Sequence, residues 1–479
     1  MRTGRLARVL GAATLVAGIA TAGSAVVLSG AGAALAGTGG GGGGGGGSAY
    51  TCTGGNIPPG TYESLDVTGV CFTKFGNVKV EHNVTVERGA LLDNGIPGDP
   101  TSSPTVSAQL YVGGSVKVGK GAVLILGCSP NSSCGGASPP PPGPGISSAY
   151  IRGNVTAIGA MAVVVHSSSI GGNFSVIGGG AGTASCAPPA PAPWSEDPNL
   201  TGIPPYTDSE DVAIGGNYTI VGHSSCWLGS LRNQIRGSAT FIGNTFGDPD
   251  AMEIGNNLVG DDLTCFRNNP APQFGDGAAS DLVAGRAKGQ CGFGVVLNNP
   301  SAEAIEANGG TGVGVLQHFA VSTRHLKTYF GSYTATSQVL SLPPVTTEAG
   351  NTITADVFNF ALAGRGLVGT GTFPADGTPG QSPGAAVLST TFPRGNSTFT
   401  AYLTCDQCSF AGQSGSVSLR AYGKSDKNGF TNGTFLITSN GTILPTSTSP
   451  VPGLATVVGY GSFWGSGNTL HLIEHLGFG

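Results

Sequence analysis

Between about Tyr50 and Cys291, apolar and polar residues alternate in short runs with the period of a strand that buries one face. Each run follows a small turn ending in Gly, then Asn or Ser. The series is Gly76-Asn77-Val78-Lys79-Val80, Gly114-Ser115-Val116-Lys117-Val118, Gly153-Asn154-Val155-Thr156-Ala157, Gly172-Asn173-Phe174-Ser175-Val176, Gly216-Asn217-Tyr218-Thr219-Ile220, Gly237-Ser238-Ala239-Thr240-Phe241 and Gly255-Asn256-Asn257-Leu258-Val259. Successive glycines stand 38, 39, 19, 44, 21 and 18 residues apart, so the spacing is near twenty or its double, and the 44 holds a Pro-rich insertion. A repeat of short strands at a fixed period predicts a solenoid whose inward Val, Ile, Phe and Leu form one core. A β-sandwich also has regularly recurring strands. The same Gly-Asn corner at each turn favours the solenoid. The corner glycines are expected to supply positive φ where the chain changes direction.

Three stretches rich in Pro, Ser and Gly interrupt the pattern: Asp93 to Ser107, Cys128 to Ser148 and Gly180 to Ser209. They read as loops expelled from the stack. Trp194, Tyr206 and Trp227 are expected to cluster at the last one, either packing the loop or offering a platform for sugar stacking.

Beyond Leu316 the alternation lengthens. Candidate strands run Arg324 to Leu342, Asn351 to Leu362, Gly366 to Phe373, Ala385 to Phe392, Ser397 to Thr404, Ser414 to Tyr422, Asn432 to Ser439, Ala455 to Trp464 and Thr469 to Phe478. Long hairpin-connected strands predict a closed meander, because closure removes exposed edges. The expected fold class is therefore all-β: a right-handed parallel β-helix over residues 49–295, a linker over 296–315, and an antiparallel β-barrel over 316–479.

The amino-terminal pattern is different. Arg2, Arg5 and Arg8 precede an apolar stretch from Val9 to Leu28, and Ala34-Leu35-Ala36 follows. This order predicts a cleaved export signal over residues 1–36 and no stable membrane span afterwards. Residues 37–48, nearly all Gly, read as a flexible spacer. The mature protein is then expected outside the cell, released or held at the surface.

Composition agrees. Only 10% of the residues are charged, while 84 are Gly and 31 are Pro, so helix formers are few and turn formers many. A net charge of -5 offers no basic footprint for nucleic acid. The ten cysteines suit an oxidising compartment. Their spacing suggests local pairs, Cys52 with Cys71, Cys128 with Cys134, Cys186 with Cys226, Cys265 with Cys291 and Cys405 with Cys408, although spacing alone leaves connectivity open.

The Gly-Asn-Val coils resemble a group of secreted actinobacterial proteins with right-handed parallel β-helix repeats and no assigned function. The segment from Ile254 to Cys291 adds Asn268-Asn269-Pro270-Ala271-Pro272, Gly275-Asp276 and Gly289-Gln290-Cys291 to that likeness. It covers about half of the chain and implies architecture rather than activity. In the final third, Thr431-Asn432-Gly433-Thr434-Phe435-Leu436-Ile437-Thr438 with Leu454 to Phe463 is similar to allene-oxide-cyclase-like and dirigent-like barrels. That likeness implies a barrel and raises binding of a small apolar ligand.

Candidate chemistry is sparse. His471-Leu472-Ile473-Glu474-His475 has the spacing of a helical zinc site, but on a strand Glu474 faces away from both histidines. Cys405-Asp406-Gln407-Cys408 lacks the strand-to-helix setting of a redox pair and reads as a small disulfide loop. Asp261 and Asp262, with Asp248, Asp250 and Glu253 nearby, are the candidate carboxylates for a polysaccharide hydrolase or lyase. The same Asp248, Asp261 and Asp262 are a candidate weak Ca²⁺ site. His223 lies one or two coils away and Arg267 is the candidate base of a lyase, yet the order and identities differ from those of polygalacturonases. His166 and His223 read as strand-end caps and His82 as a strand residue. No cofactor motif occurs. The favoured expectation is a non-catalytic structural or binding protein whose partner is an extracellular carbohydrate or cell-envelope component. A carbohydrate-active enzyme and an apolar-ligand barrel are the competing ones.

Overall fold

The computed structural model describes residues 47–73, 77–95, 108–127, 147–187, 189–248, 251–273, 280–297, 314–318, 320–341, 344–346, 352–372, 384–439 and 457–478. The expected export signal, most of the spacer and the Cys128–Cys134 pair lie outside the described residues.

The first half is a stack of coils. Each coil visits three parallel sheets in turn, here A, B and C, with ten, eight and ten strands. Alternation within each strand sends every second side chain inward, and parallel register stacks like on like. In sheet A the inward column runs Val116, Val155, Phe174, Tyr218, Ala239 and Leu263, all buried. The Phe174 and Tyr218 rings stack at 5.0 Å and Tyr218 meets Phe241 at 5.3 Å. Full burial of each such side chain contributes about 1.5–3 kcal/mol.

The Gly-Asn motif is explained by a side-chain ladder. Ser115 N–H donates to Asn83 Oδ1 (2.9 Å), Asn154 N–H to Ser115 Oγ (3.0 Å), Asn173 N–H to Asn154 Oδ1 (2.7 Å), Asn217 N–H to Asn173 Oδ1 (2.8 Å) and Ser238 N–H to Asn217 Oδ1 (2.9 Å). The preceding glycine makes room for it: a Cβ on Gly172, Gly216 or Gly237 would stand 2.3 Å from the asparagine oxygen of the coil before. None of these glycines has positive φ. The expectation of left-handed Gly-Asn corners is thus corrected. The positive-φ glycines sit instead where the chain leaves sheet A, at Gly159, Gly178, Gly222 and Gly243 (φ 63 to 66). Two instances of the motif also lead into sheet C rather than A, at Asn77–Val80 and Leu258–Val259. A coil that the motif passes over, Val84–Val86, follows Asn83 without a glycine before it.

The second half is a closed antiparallel barrel of eight strands. Around the wall run Lys327–Ser341, Thr469–Phe478, Val457–Ser466, Phe430–Ser439, Gln413–Ser425, Ser397–Phe410, Gly384–Thr391 and Thr352–Gly364, and the last pairs with the first. The interior is packed with rings: a Cβ on Gly423, Gly433 or Gly461 would stand 2.3 to 2.4 Å from Phe399, Phe463 or Phe435. The segment expected as a bare linker is structured at both ends. Phe293–Leu297 pairs antiparallel with Gly314–His318, and Ala320–Ser322 joins sheet C beside Asp281–Val283 before the barrel begins.

Among the described residues, four disulfides join Cys52–Cys71, Cys186–Cys226, Cys265–Cys291 and Cys405–Cys408. They close the first coil, the base of the last insertion, the final coil and a register shift within Ser397–Phe410. The barrel rests on the solenoid through Leu282, Leu436 and Val458, flanked by Leu258, Val321, Leu326 and Tyr460. No helix among the described residues is long and apolar enough to cross a membrane.

Candidate functional site

Among the described residues, ionisable side chains gather on the outward side of sheet B, where it meets the barrel. In the strand Thr207–Glu210, Ser209 points inward and bonds the core Tyr218 hydroxyl (2.8 Å). Alternation therefore sends Asp208 and Glu210 outward. Register places His166 beside Glu210 and Val164 beside Asp208. The His166 Nε2 stands 2.8 Å from Asp208 Oδ2.

The corner after sheet B supplies the rest. Its residues in successive coils are Ser167, Asp211, Arg232 and Asn256, and all four hold left-handed φ of 47 to 58. For residues other than glycine this conformation costs roughly 1–2 kcal/mol each. The side chains of Ser167, Asp211 and Arg232 are bonded across the corner or to the barrel. Arg232 donates to Asp211 Oδ1 (3.0 Å) and Glu210 Oε2 (2.7 Å). The barrel answers with Arg420, whose Nη1 is 2.9 Å from Asp211 Oδ1. Its guanidinium lies 4.6 Å over both the Tyr402 and Tyr422 rings. The Tyr402 hydroxyl meets Ser167 Oγ at 2.9 Å, and the Tyr422 hydroxyl donates to the Asp211 carbonyl.

The insertion walls the other side. Trp194, Tyr206 and Trp227 pack edge to face at 5.4 and 6.0 Å, and Trp194 is wholly buried. They pack the loop onto sheet B and present no open ring to a sugar.

Burial decides the electrostatics. Asp208 is pushed up to about 6, first by burial and then by the Glu210 charge, against the pull of His166. Burial disfavours a charged His166, but the Asp208 hydrogen bond and the Asp208 and Glu210 charges outweigh it, and its pKa ends raised. The pair thus holds a proton between them. With His166 charged, three carboxylates (Asp208, Glu210, Asp211) face three cations (His166, Arg232, Arg420), and the cluster is neutral.

His166, Asp208 and Glu210 each offer a ligand atom within 4.8 Å of the others, a nitrogen and oxygen set of the kind Zn²⁺ takes. The neighbours do not suit an ion. A dication would displace only one proton beside two guanidinium groups and leave excess positive charge. Glu210 is already committed to Arg232. The arrangement is an ionic clamp between the two folds.

The sequence-derived carboxylates lie elsewhere. Asp261 and Asp262 sit on the exposed corner between sheets C and A. Asp261 accepts from the Ser238 hydroxyl (3.0 Å), and Asp262 accepts from Arg286 N–H (2.8 Å) and pairs with Lys288. The Lys288 bond and then the Arg286 N–H hold Asp262 below the usual carboxylate range. Asp248 belongs to a different corner, before Met252–Gly255, where its N–H donates to the Cys226 carbonyl (3.3 Å). Glu253 lies in sheet B, and Asp250 is outside the described residues. The set is therefore not gathered. His223 is a core residue, bonded to Thr207 Oγ1 (2.9 Å) and lowered to about 4 by burial.

In the H-x-x-E-H string, Glu474 points into the barrel while His471 and His475 stay outside, as a strand requires. Burial pushes Glu474 up to about 7. The signal for the clamp was present in Thr207-Asp208-Ser209-Glu210-Asp211, an alternating strand hidden by its place at the end of a Pro-rich insertion. No protein-family model matches the chain, and a search of curated proteins returns no significant match.

Proposed function

We propose that this is an exported, non-catalytic scaffold that presents its outer faces to extracellular carbohydrate or another cell-envelope component. One observation carries the reading: the convergent ionisable cluster is consumed in joining barrel to solenoid, with His166, Asp208, Glu210 and Asp211 all buried. A hydrolase or lyase needs carboxylates open to a substrate and a water. The open carboxylates Asp261 and Asp262 instead bond Ser238, Arg286 and Lys288.

The outer faces are of another kind. Outward in sheet A stand Thr156, Ser175, Thr219, Thr240 and Thr264 in register, an uncharged hydroxyl ladder on a rigid support. Four cystines suit an oxidising exterior.

The test is a product assay for new reducing ends and unsaturated ends. Acidic and neutral polysaccharides are incubated with the purified protein and with D248A, D261A and D262A. No product is expected from any of them. Turnover that disappears in one of these variants would replace the scaffold reading with the enzymatic one.

A further inference from the structure

We propose that Asp281 closes a ladder of buried amides as a neutral carboxylic acid, and that its ionisation loosens the coils on which the barrel is seated.

The ladder runs along the corner between sheets B and C. Asn233, Asn257 and Asp281 stand one behind another in successive coils, each just before its sheet C strand. Val212 N–H donates to Asn233 Oδ1 (3.0 Å), Asn233 N–H to Asn257 Oδ1 (3.0 Å) and Asn257 N–H to Asp281 Oδ1 (2.9 Å). The amide nitrogens bond back to sheet B. Asn233 Nδ2 donates to the Ser209 carbonyl (2.9 Å), and Asn257 Nδ2 donates to the Ser230 carbonyl (2.8 Å) and to Asp281 Oδ1 (2.8 Å). All three side chains are buried. An amide suits this place because it accepts on one atom and donates on the other.

Asp281 has the acceptor but an oxygen where the amide has its donor. Ser209, Ser230 and Ile254 follow one another in register, so the repeat aims Oδ2 of Asp281 at the carbonyl of Ile254. No donor among the described residues meets that oxygen. Two bare oxygens repel, whereas a proton on Oδ2 restores the missing donor. The solenoid's other buried ladder ends differently. Asn244 N–H donates to Asn268 Oδ1 (3.1 Å), Asn268 N–H to Gln290 Oε1 (2.9 Å), and Gln290 Nε2 back to the Asn268 carbonyl (2.9 Å). There an amide closes the series, and here an acid does.

Nothing nearby compensates an anion. Burial raises the Asp281 carboxyl from 3.8 to about 7 against the pull of the two Asn257 bonds, and no neighbouring charge enters. The titratable side chains on the surrounding elements lie elsewhere. Glu253 is next to Ile254 and so on the other face of sheet B. Asp261 and Asp262 lie past Leu258–Val259, Arg324, His325 and Lys327 lie past Ala320–Ser322, and His475 stacks on Tyr460 of the barrel.

Position gives the proton its effect. The strand Asp281–Val283 is held between Leu258–Val259 and Ala320–Ser322, and its Leu282 packs with Leu436 and Val458 of the barrel. The folded pKa is raised, so the stability this group contributes is full below 3.8 and is lost as pH rises through about 7. The loss falls on the strands under the barrel.

The test is hydrogen exchange of the whole mature chain from pH 5 to 8, read by mass spectrometry and corrected for the intrinsic pH dependence of exchange. Peptides covering residues 281–283 and 320–322 should lose roughly tenfold in protection across that range in the wild type and none in D281N. Peptides covering Val116–Val118 and Val155–Ile158, far along the stack, should keep theirs in both proteins. The infrared difference between wild type and D281N at pH 5 should show a protonated-carboxyl band that fades with a midpoint near 7. D281N supplies the amide of the two preceding coils. Should it fail to fold, D281A serves for the infrared difference, and the wild-type exchange needs no variant.

Wild-type protection that stays flat at both strands from pH 5 to 8 would overturn the proposal, as would a difference spectrum without the carboxyl band. A loss that persists in D281N and disappears in H166Q or E474Q would also overturn it, by assigning the proton to the clamp or to the barrel interior.

Discussion

Arg420 of the barrel and Asp211 of the solenoid, far apart in sequence, meet at 2.9 Å with each side chain 1% exposed. Two tyrosine rings enclose the guanidinium, and burial lowers its pKa to about 10, so it stays charged at neutral pH. Removing one partner of such a pair leaves the other charge buried and uncompensated. R420A should therefore lower unfolding free energy by about 3–5 kcal/mol in urea titration. Added to D211N, it should cost less than the sum of the two single changes. Full additivity would mean that the contact carries no coupling.

The His166–Asp208 pair makes the clamp sensitive to pH. Both pKa values are raised in the folded state, His166 above 6.5 and Asp208 to about 6. The folded protein thus binds protons that the unfolded chain has released, and stability falls as pH rises. The Asp208 share fades between about 3.8 and 6, and the His166 share is full below 6.5 and fades above it. Between pH 5 and 9 the wild-type Tm should drop relative to that of H166Q. A constant difference across that range would remove the shared proton from the account.

Glu474 obeys the same sign for a different reason. Burial in the barrel raises it from 4.5 to about 7, so the folded state favours the neutral acid. Stability from this group is present at low pH and lost between those two values, on the order of 3 kcal/mol in all. E474Q keeps a neutral side chain at every pH. It should be close to the wild type at pH 5 and clearly more stable at pH 8 in matched denaturation curves.

The ladder at the corner between sheets C and A predicts a steric coupling. In G216A the new Cβ would stand 2.3 Å from Asn173 Oδ1. The coil must shift or the Asn217 N–H bond must break, at a cost of about 1–3 kcal/mol. N173A removes that oxygen, so N173A/G216A should be less damaged than the two single losses imply. Thermal denaturation of the four proteins closes the cycle.

Periodic features were legible in the sequence because each is written locally. The coils follow from strand alternation plus a repeated corner. The strand Thr469–Phe478 was bounded to the residue, since a hairpin partner and inward Leu472 and Leu476 frame it. The four described cystines link residues in the same or adjacent coils or strands, where spacing is informative. The clamp was not legible for the opposite reason. Its charges come from His166, Asp208, Glu210, Asp211, Arg232 and Arg420, in separate coils and a separate fold, and only stacking plus docking brings them together. Asp261 and Asp262 are neighbours in sequence, but at their corner they bond different partners, Ser238 for the first and Arg286 with Lys288 for the second. The Gly-Asn corner is legible as a repeat but not in its cause, because a missing Cβ serves close approach as well as positive φ.

The clamp grips three successive coils, those carrying His166 and Ser167, Asp208 to Asp211, and Arg232. Ahead of them, the strands Tyr50–Cys52, Leu65–Val67, Val84–Val86 and Val116–Val118 pair along sheet A only with their neighbours in the stack. Each coil adds about 4.8 Å along the stack. The length of the shaft is thereby uncoupled from the seat of the barrel. Duplicating or deleting an early coil would change how far the protein reaches while leaving the joint as it is, so reach can evolve in fixed steps without renegotiating the contact between the two folds.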